Sequence, residues 1–153
     1  RDMGVSEEDA VDRLQPAGAI YFIMDERDVE RILAFPGTMI GSDGMPHDPA
    51  PHPRLWGTFP RVLGHYCRDM QLFSLEEAVH KMSGKTAAYF QLPGRGLVQA
   101  GCHADLVIFD AGTVADTATW SSPTRQAQGI DAVFVNATPP DAPAEISPPS
   151  PAP

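Results

Sequence analysis

Short polar caps followed by apolar positions at helical spacing recur along the first ninety residues. Ser6, with Asp9 three positions on, has the form of a capping box for a helix that should run to about Leu14 and stop at Pro16. Gly18–Met24 is apolar and rich in aromatic and β-branched residues, so strand and buried turn compete there. Asp25 and Asp28 repeat the N-cap pattern ahead of Val29, Ile32 and Leu33, and Pro36-Gly37 ends that helix. Thr38–Gly41 reads as a short buried strand, too brief to cross a sheet unless neighbouring strands cover both its faces. Residues 44–60 hold five prolines together with His47, His52, Arg54 and Trp56, the composition of a long loop. Helical spacing resumes at Phe59, Val62, Leu63 and Tyr66. Ser74-Leu-Glu-Glu77 is a full capping box ahead of Ala78, Val79 and Met82, with Gly84 suited to the C-terminal cap. A further helical turn from Thr86 to Leu92 leads into the turn Gly94-Arg-Gly96. Leu97-Val98, Leu106–Phe109 and Ala132–Val135 then read as strands, so a helical half precedes a β half. Seven of the sixteen prolines fall between Pro139 and Pro153, which predicts a disordered or polyproline II tail from Ala137 onward.

Composition narrows the function classes. With 42% hydrophobic and 20% charged residues, the 153-residue chain can bury a core. A net charge of −9 with no basic stripe disfavours binding to a phosphate backbone, so no nucleic-acid partner is expected. The longest apolar stretch, Ala17–Met24, falls short of the roughly 20 residues that a membrane span requires. Cys67 and Cys102 form neither a disulfide framework nor a metal knuckle, which suits reduced thiols and a cytoplasmic location. The chain starts at Arg1 with no signal-like apolar core, so it is expected to be a piece of a longer chain or to have lost an upstream segment.

Few residues stand out for chemistry. Asp43, in Ser42-Asp43-Gly44, directly follows the short apolar run. At the C-terminal end of a parallel strand it could serve as a general base; otherwise it simply begins the loop as an Asx-turn aspartate. Arg54, close to Trp56, could pair its planar fork with a substrate carboxylate or lie solvated on the surface. His47 and His52 are a weak metal signature, because no rigid element separates them, and loop or supporting roles suit them better. The serine at 42 is outside a GxSxG elbow, and Gly94-Arg-Gly96 lacks the third glycine of a dinucleotide fingerprint. His65, His80 and His103 are expected to be structural or exposed.

A resemblance changes these expectations. Leu14–Phe22, Ile32–Pro36, Ile40-Gly-Ser-Asp-Gly44 and His52-Pro-Arg-Leu-Trp-Gly-Thr-Phe-Pro-Arg-Val-Leu-Gly64 resemble the C-terminal third of the N-acyl-D-amino-acid deacylases, the D-aminoacylases. Ser74–Val79, Arg95–Gly101 and Ala104–Asp110 resemble the wider amidohydrolase superfamily. The resemblance implies an α/β fold: the C-terminal fragment of a TIM-like (β/α)8 barrel plus part of a small β-sandwich. Residues 1–92 would be the barrel portion, with Thr38–Gly41 its eighth strand, 93–136 the sandwich portion and 137–153 a proline-rich tail. It implies a Zn2+-dependent hydrolase cleaving N-acyl-D-amino acids. Asp43 would be the catalytic aspartate and a possible metal ligand, and Arg54 would bind the substrate's α-carboxylate. The family's remaining metal ligands, histidines and a cysteine on earlier strands, have no counterpart here, so the missing N-terminal part of the fold would be this chain's partner. A hydantoinase-like or dihydroorotase-like cyclic amidohydrolase is the nearest competing enzyme, and Arg54 in Pro-Arg-Leu-Trp-Gly argues for the deacylase. A non-catalytic truncated relic or binding module, with its proline-rich tail available to bind, is the alternative from another class.

Overall fold

Side-chain caps set the helix starts in the computed structural model, which describes residues 3–16, 22–45, 47–48 and 50–137. Ser6 Oγ accepts the Asp9 N–H at 3.1 Å and opens α1, Glu7–Leu14. Asp25 accepts the Arg27 N–H at 2.9 Å and opens α2, Glu26–Ala34, which ends ahead of Pro36. Further along, Ser74 Oγ accepts the Glu77 N–H at 3.2 Å at the start of the helix Leu75–Met82. Each hydroxyl or carboxylate satisfies an amide that has no partner within the first turn. The proline tail and most of Gly18–Met24 lie outside the described residues.

The loop predicted for residues 44–60 is shorter than expected. Helix α3 spans Arg54–Arg61, so Arg54 and Trp56 are helical rather than looped. Pro53 is the cause, since its ring presets the backbone angle needed where a helix begins. Pro60 lies inside α3, and because it cannot donate an amide hydrogen the regular ladder gives way to a π-helical stretch, Val62–Asp69. That stretch supplies half of the buried apolar residues, Val62, Leu63, Tyr66 and Cys67.

The helix opened by Ser74 is α4, and Gly84 does not cap it. Ser83 takes that place, and Gly84 opens α5, Gly84–Tyr89. A Cβ at Gly84 would stand 3.3 Å from the Gly96 carbonyl oxygen, so close approach rather than a left-handed backbone explains this glycine. In the β half, β1 (Leu106–Phe109) and β2 (Ile130–Phe134) form an antiparallel pair, with Leu106 opposite Phe134 and a one-residue slip between Ile108 and Phe109. Leu97-Val98 is not a strand, and both side chains are exposed. Arg95, in the turn before it, bonds to Asp105 and, at 3.1 Å, to Asn136, tying that turn to both strands at one end of the ribbon.

Thr38–Gly41 is extended, but among the described residues it has no strand partner. Helices hold it instead. The Ile40 amide donates to the Lys81 carbonyl at 3.1 Å, and the fully buried Lys81 ammonium donates to the carbonyls of Phe35 at 2.7 Å and Thr38 at 3.3 Å. Glu77 lies 3.5 Å from that ammonium and from Lys85, whose own ammonium reaches the Pro36 carbonyl. Ile40 then packs with Val62, Leu63, Tyr66, Cys67, Ala78 and Val114 in one core, and Val29, Leu33, Phe109 and Ile130 pack against it.

Replacing Lys81 with methionine keeps the length of the side chain but strands two carbonyls and Glu77. We expect a loss of about 2 kcal/mol in folding stability, read as a lower urea midpoint with an unchanged denaturant slope. An unshifted midpoint would show that the ammonium contributes no net stability.

Candidate functional site

Two features of the chain bring Asp43 and Arg54 together. The Lys81 clamp directs the extended segment past Ile40, and Gly44 lets the following loop lie flat on α3. A Cβ at Gly44 would fall 2.8 Å from both Cβ and Cδ1 of Leu55, so any larger residue would push the loop off the helix. With the loop so placed, Arg54 donates from Nη2 to the Asp43 carboxylate. Both side chains are more than half exposed, so the pair is open to solvent rather than locked in the core.

Arg54 is anchored at its backbone as well. Pro53, at the N-cap of α3, has no side-chain oxygen with which to cap, and His52 caps in its stead, its Nδ1 accepting the Arg54 N–H at 3.0 Å. One turn on, Thr58 donates to the Arg54 carbonyl at 2.7 Å. An accepting Nδ1 assigns the neutral imidazole with its proton on Nε2. Burial, helped by the positive charge of Arg54 and opposed by Asp43, holds the His52 pKa below its ordinary value.

The site also receives residues from the β half. In the segment joining β1 to β2, Asp116 lies 3.5 Å from the Arg61 guanidinium, and a Cβ on Gly57 would be 3.2 Å from Asp116 Cβ. Trp120 meets the His52 ring edge-on, with centroids 4.7 Å apart. Neither spacing nor composition points to Trp120, which is sixty-six positions beyond Arg54 and belongs to no recognisable motif.

The other candidates stand apart. His47 is exposed, and none of the hydrogen bonds among the described residues ties it to Asp43 or Arg54. Cys67 is buried in the core, where desolvation raises its thiol pKa, and Cys102 is partly buried; both are free thiols. An apolar cavity of about 790 Å³ opens between α3, α4 and β1, lined by Phe59, Leu63, Leu75, Val79 and Leu106 among others, but neither Asp43 nor Arg54 faces it.

Among the described residues no three His, Cys, Asp or Glu side chains converge as a metal-binding group. Asp43 is engaged by Arg54, and the Nδ1 of His52 is engaged by an amide. The described residues therefore do not complete a zinc site by themselves.

A sequence profile of the Amidohydrolase family matches residues 6–137, and the chain belongs to that family. The D-aminoacylase of Alcaligenes xylosoxydans xylosoxydans is 67% identical over 138 residues, which are 90% of this chain and 28% of that protein. A crystal structure of D-aminoacylase, described for its binuclear metal centre, superposes with a TM-score of 0.83 at 65% identity, covering 90% of this chain and 29% of that one. The N-acyl-D-glutamate deacylase of Bordetella bronchiseptica, solved with zinc and a phosphonate mimic of the tetrahedral intermediate, superposes with a TM-score of 0.87 at 50% identity over 94% of this chain and 31% of that one. The chain thus spans a little over a quarter of the length of the relatives it matches. The α/β fold follows from these neighbours. No described helix is long and apolar enough to cross a membrane.

The lowered His52 pKa has a definite sign. The unfolded chain takes up the imidazole proton at the ordinary value, 6.5, while the folded chain resists it to lower pH. Stability present above the ordinary value is therefore lost as pH falls through it towards the folded midpoint. An NMR titration of the His52 ring should give a midpoint below 6.5, and a midpoint at or above that value would contradict the neutral, accepting imidazole.

Proposed function

We propose that this chain is the C-terminal part of a hydrolase that cleaves the linear amide of N-acyl-D-amino acids to a carboxylate and a free D-amino acid. The observation that carries the reading is the Asp43–Arg54 pair, a carboxylate and a planar guanidinium meeting at an open face. It stands on a segment 67% identical to a D-aminoacylase. In this reading residues 1–92 are the last portion of a TIM-like (β/α)8 barrel, and 93–136 are part of a small β-sandwich. The proline-rich residues 137–153 lie beyond both, and Asp43 stands at the mouth of the barrel after its last strand.

Each side chain then has a chemical role. Asp43 takes a proton from the attacking water and returns it to the leaving nitrogen. Arg54 presents two parallel N–H donors to the α-carboxylate of the substrate, a bidentate match that a lysine ammonium lacks. That contact holds the scissile amide at a fixed distance from the base. Zinc is the metal found with the N-acyl-D-glutamate deacylase. If zinc also serves this protein, its other ligands come from outside the described residues, with Asp43 as a possible contributor once released from Arg54. A cytoplasmic location accords with the two free thiols.

The 153-residue chain incubated with zinc and an N-acetyl-D-amino acid should release no amino acid above buffer, and sustained turnover would overturn the assignment of the missing ligands to other residues. In a polypeptide of the relatives' length carrying this segment, Asp43→Asn should lower kcat by about 10²- to 10⁴-fold with little change in KM. Arg54→Lys should chiefly raise KM, by roughly ten- to a hundredfold. Parental kcat in the first variant would remove Asp43 from the mechanism, and parental KM in the second would remove Arg54 from the substrate.

A further inference from the structure

The contacts around Arg54 form a connected path that starts in the β half. The joining segment is held against α3 by the Arg61–Asp116 pair and by the absence of a side chain at Gly57. It is closed on itself by backbone pairing of Ala115 with Gln128 and of Thr119 with Ser122. At its turn Trp120 sets its ring at 69° to the His52 imidazole, the edge-on arrangement that aromatic quadrupoles favour, and Phe22 meets Trp120 in a similar way at 5.3 Å. The imidazole in turn accepts the first amide of α3, which belongs to Arg54.

We infer that Trp120 and His52 are positioning residues for the Arg54 clamp: the indole fixes the plane of the imidazole, and the imidazole fixes the backbone from which the guanidinium projects. This rests on the reading of Arg54 as the group that holds the substrate carboxylate. A histidine on a loop is free to turn about its side-chain bonds and to present either ring nitrogen. At this helix start, where Pro53 holds the N-cap position without a side-chain acceptor, only the nitrogen facing the Arg54 amide satisfies it. The edge-on indole is the contact that selects that rotamer. An otherwise exposed tryptophan, more than sixty residues away in sequence, thereby supports the first turn of the helix that bears the clamp.

Nitrogen NMR of the histidine rings and amide exchange in the 153-residue chain test the inference without substrate or metal. The unaltered chain should show His52 with Nε2 protonated and Nδ1 bare, and a protected Arg54 amide. Trp120→Ala should mix the two tautomers and speed exchange of the Arg54 amide by about tenfold or more, while Trp120→Phe should restore both signals. In a His52→Ala background, Trp120→Ala should have no further effect on that amide. An unchanged tautomer and unchanged exchange in Trp120→Ala would overturn the inference, as would equal exchange effects with and without His52. Because these signals involve no substrate, they stand or fall separately from the KM of Arg54→Lys, which tests the carboxylate reading alone.

Discussion

A single buried ammonium carries the geometry of the candidate site. Lys81 is almost wholly enclosed, yet it bonds to the carbonyls of Phe35 and Thr38, while its own backbone carbonyl takes the Ile40 amide. Extended backbone without a sheet partner is costly to bury, because each amide and carbonyl must find a substitute for the bonds water would have made. Helix α4 provides those substitutes through one residue. Glu77 balances the charge from the preceding helical turn and reaches Lys85 as well, so the helix face presents a carboxylate between two ammonium groups. The strand-like segment is thereby held without a sheet, and Asp43 emerges three residues beyond the buried Ile40.

The same economy joins the two halves of the chain. Gly64 in the π-helical stretch has no room for a side chain, since a Cβ there would sit 2.4 Å from the Val114 carbonyl oxygen. Val114 is fully buried among the helical residues, and Arg68 donates to its carbonyl at 2.6 Å. Gly129, in a left-handed backbone at φ 72°, also has no room, since a Cβ there would sit 2.6 Å from the Val114 amide nitrogen. Glycines at these crossings let a β ribbon of only two strands sit on a helical core that it could not otherwise reach. That seating brings Asp116 and Trp120 to the face where Arg54 starts its helix.

Local capping is legible in the sequence because its chemistry is local. Ser6, Asp25 and Ser74 each announce a helix through an oxygen placed two or three residues before the amide it accepts. The strand at Leu106–Phe109 is legible from its apolar run bounded by turns, and the one read at Ala132–Val135 overlaps β2, which starts two residues earlier at Ile130. Proline richness makes position 54 look like loop, but it hides the rule that proline opens helices, and Pro53 does open one. Leu97-Val98 looks like strand because apolar character alone cannot say whether a partner exists. Asp43 and Arg54 stand out by their surroundings in sequence, but their approach depends on Gly44 meeting Leu55, a contact between chain segments. Trp120 and the role of Lys81 are tertiary throughout: a lysine near the end of a helix pattern reads as solvated until the carbonyls it meets are known.

The exposure of the Asp43–Arg54 pair bears on what the arginine can do. An ion pair open to water is worth only about 0–1 kcal/mol, because solvent screens the attraction and competes for every donor. A buried pair would resist separation, since either partner left alone would lack compensation. Arg54 can therefore release Asp43 for another carboxylate at little cost, provided its backbone stays where the incoming group expects it. Side-chain freedom with backbone fixity is what the contacts supply: the guanidinium lies in solvent, while His52, Thr58 and the first turn of α3 hold the main chain on both sides. A freed Asp43 then has its oxygens available as proton acceptors at the same open face. On the proposed reading of the pair, one exchange of partners would both load the substrate carboxylate and free Asp43 as the base.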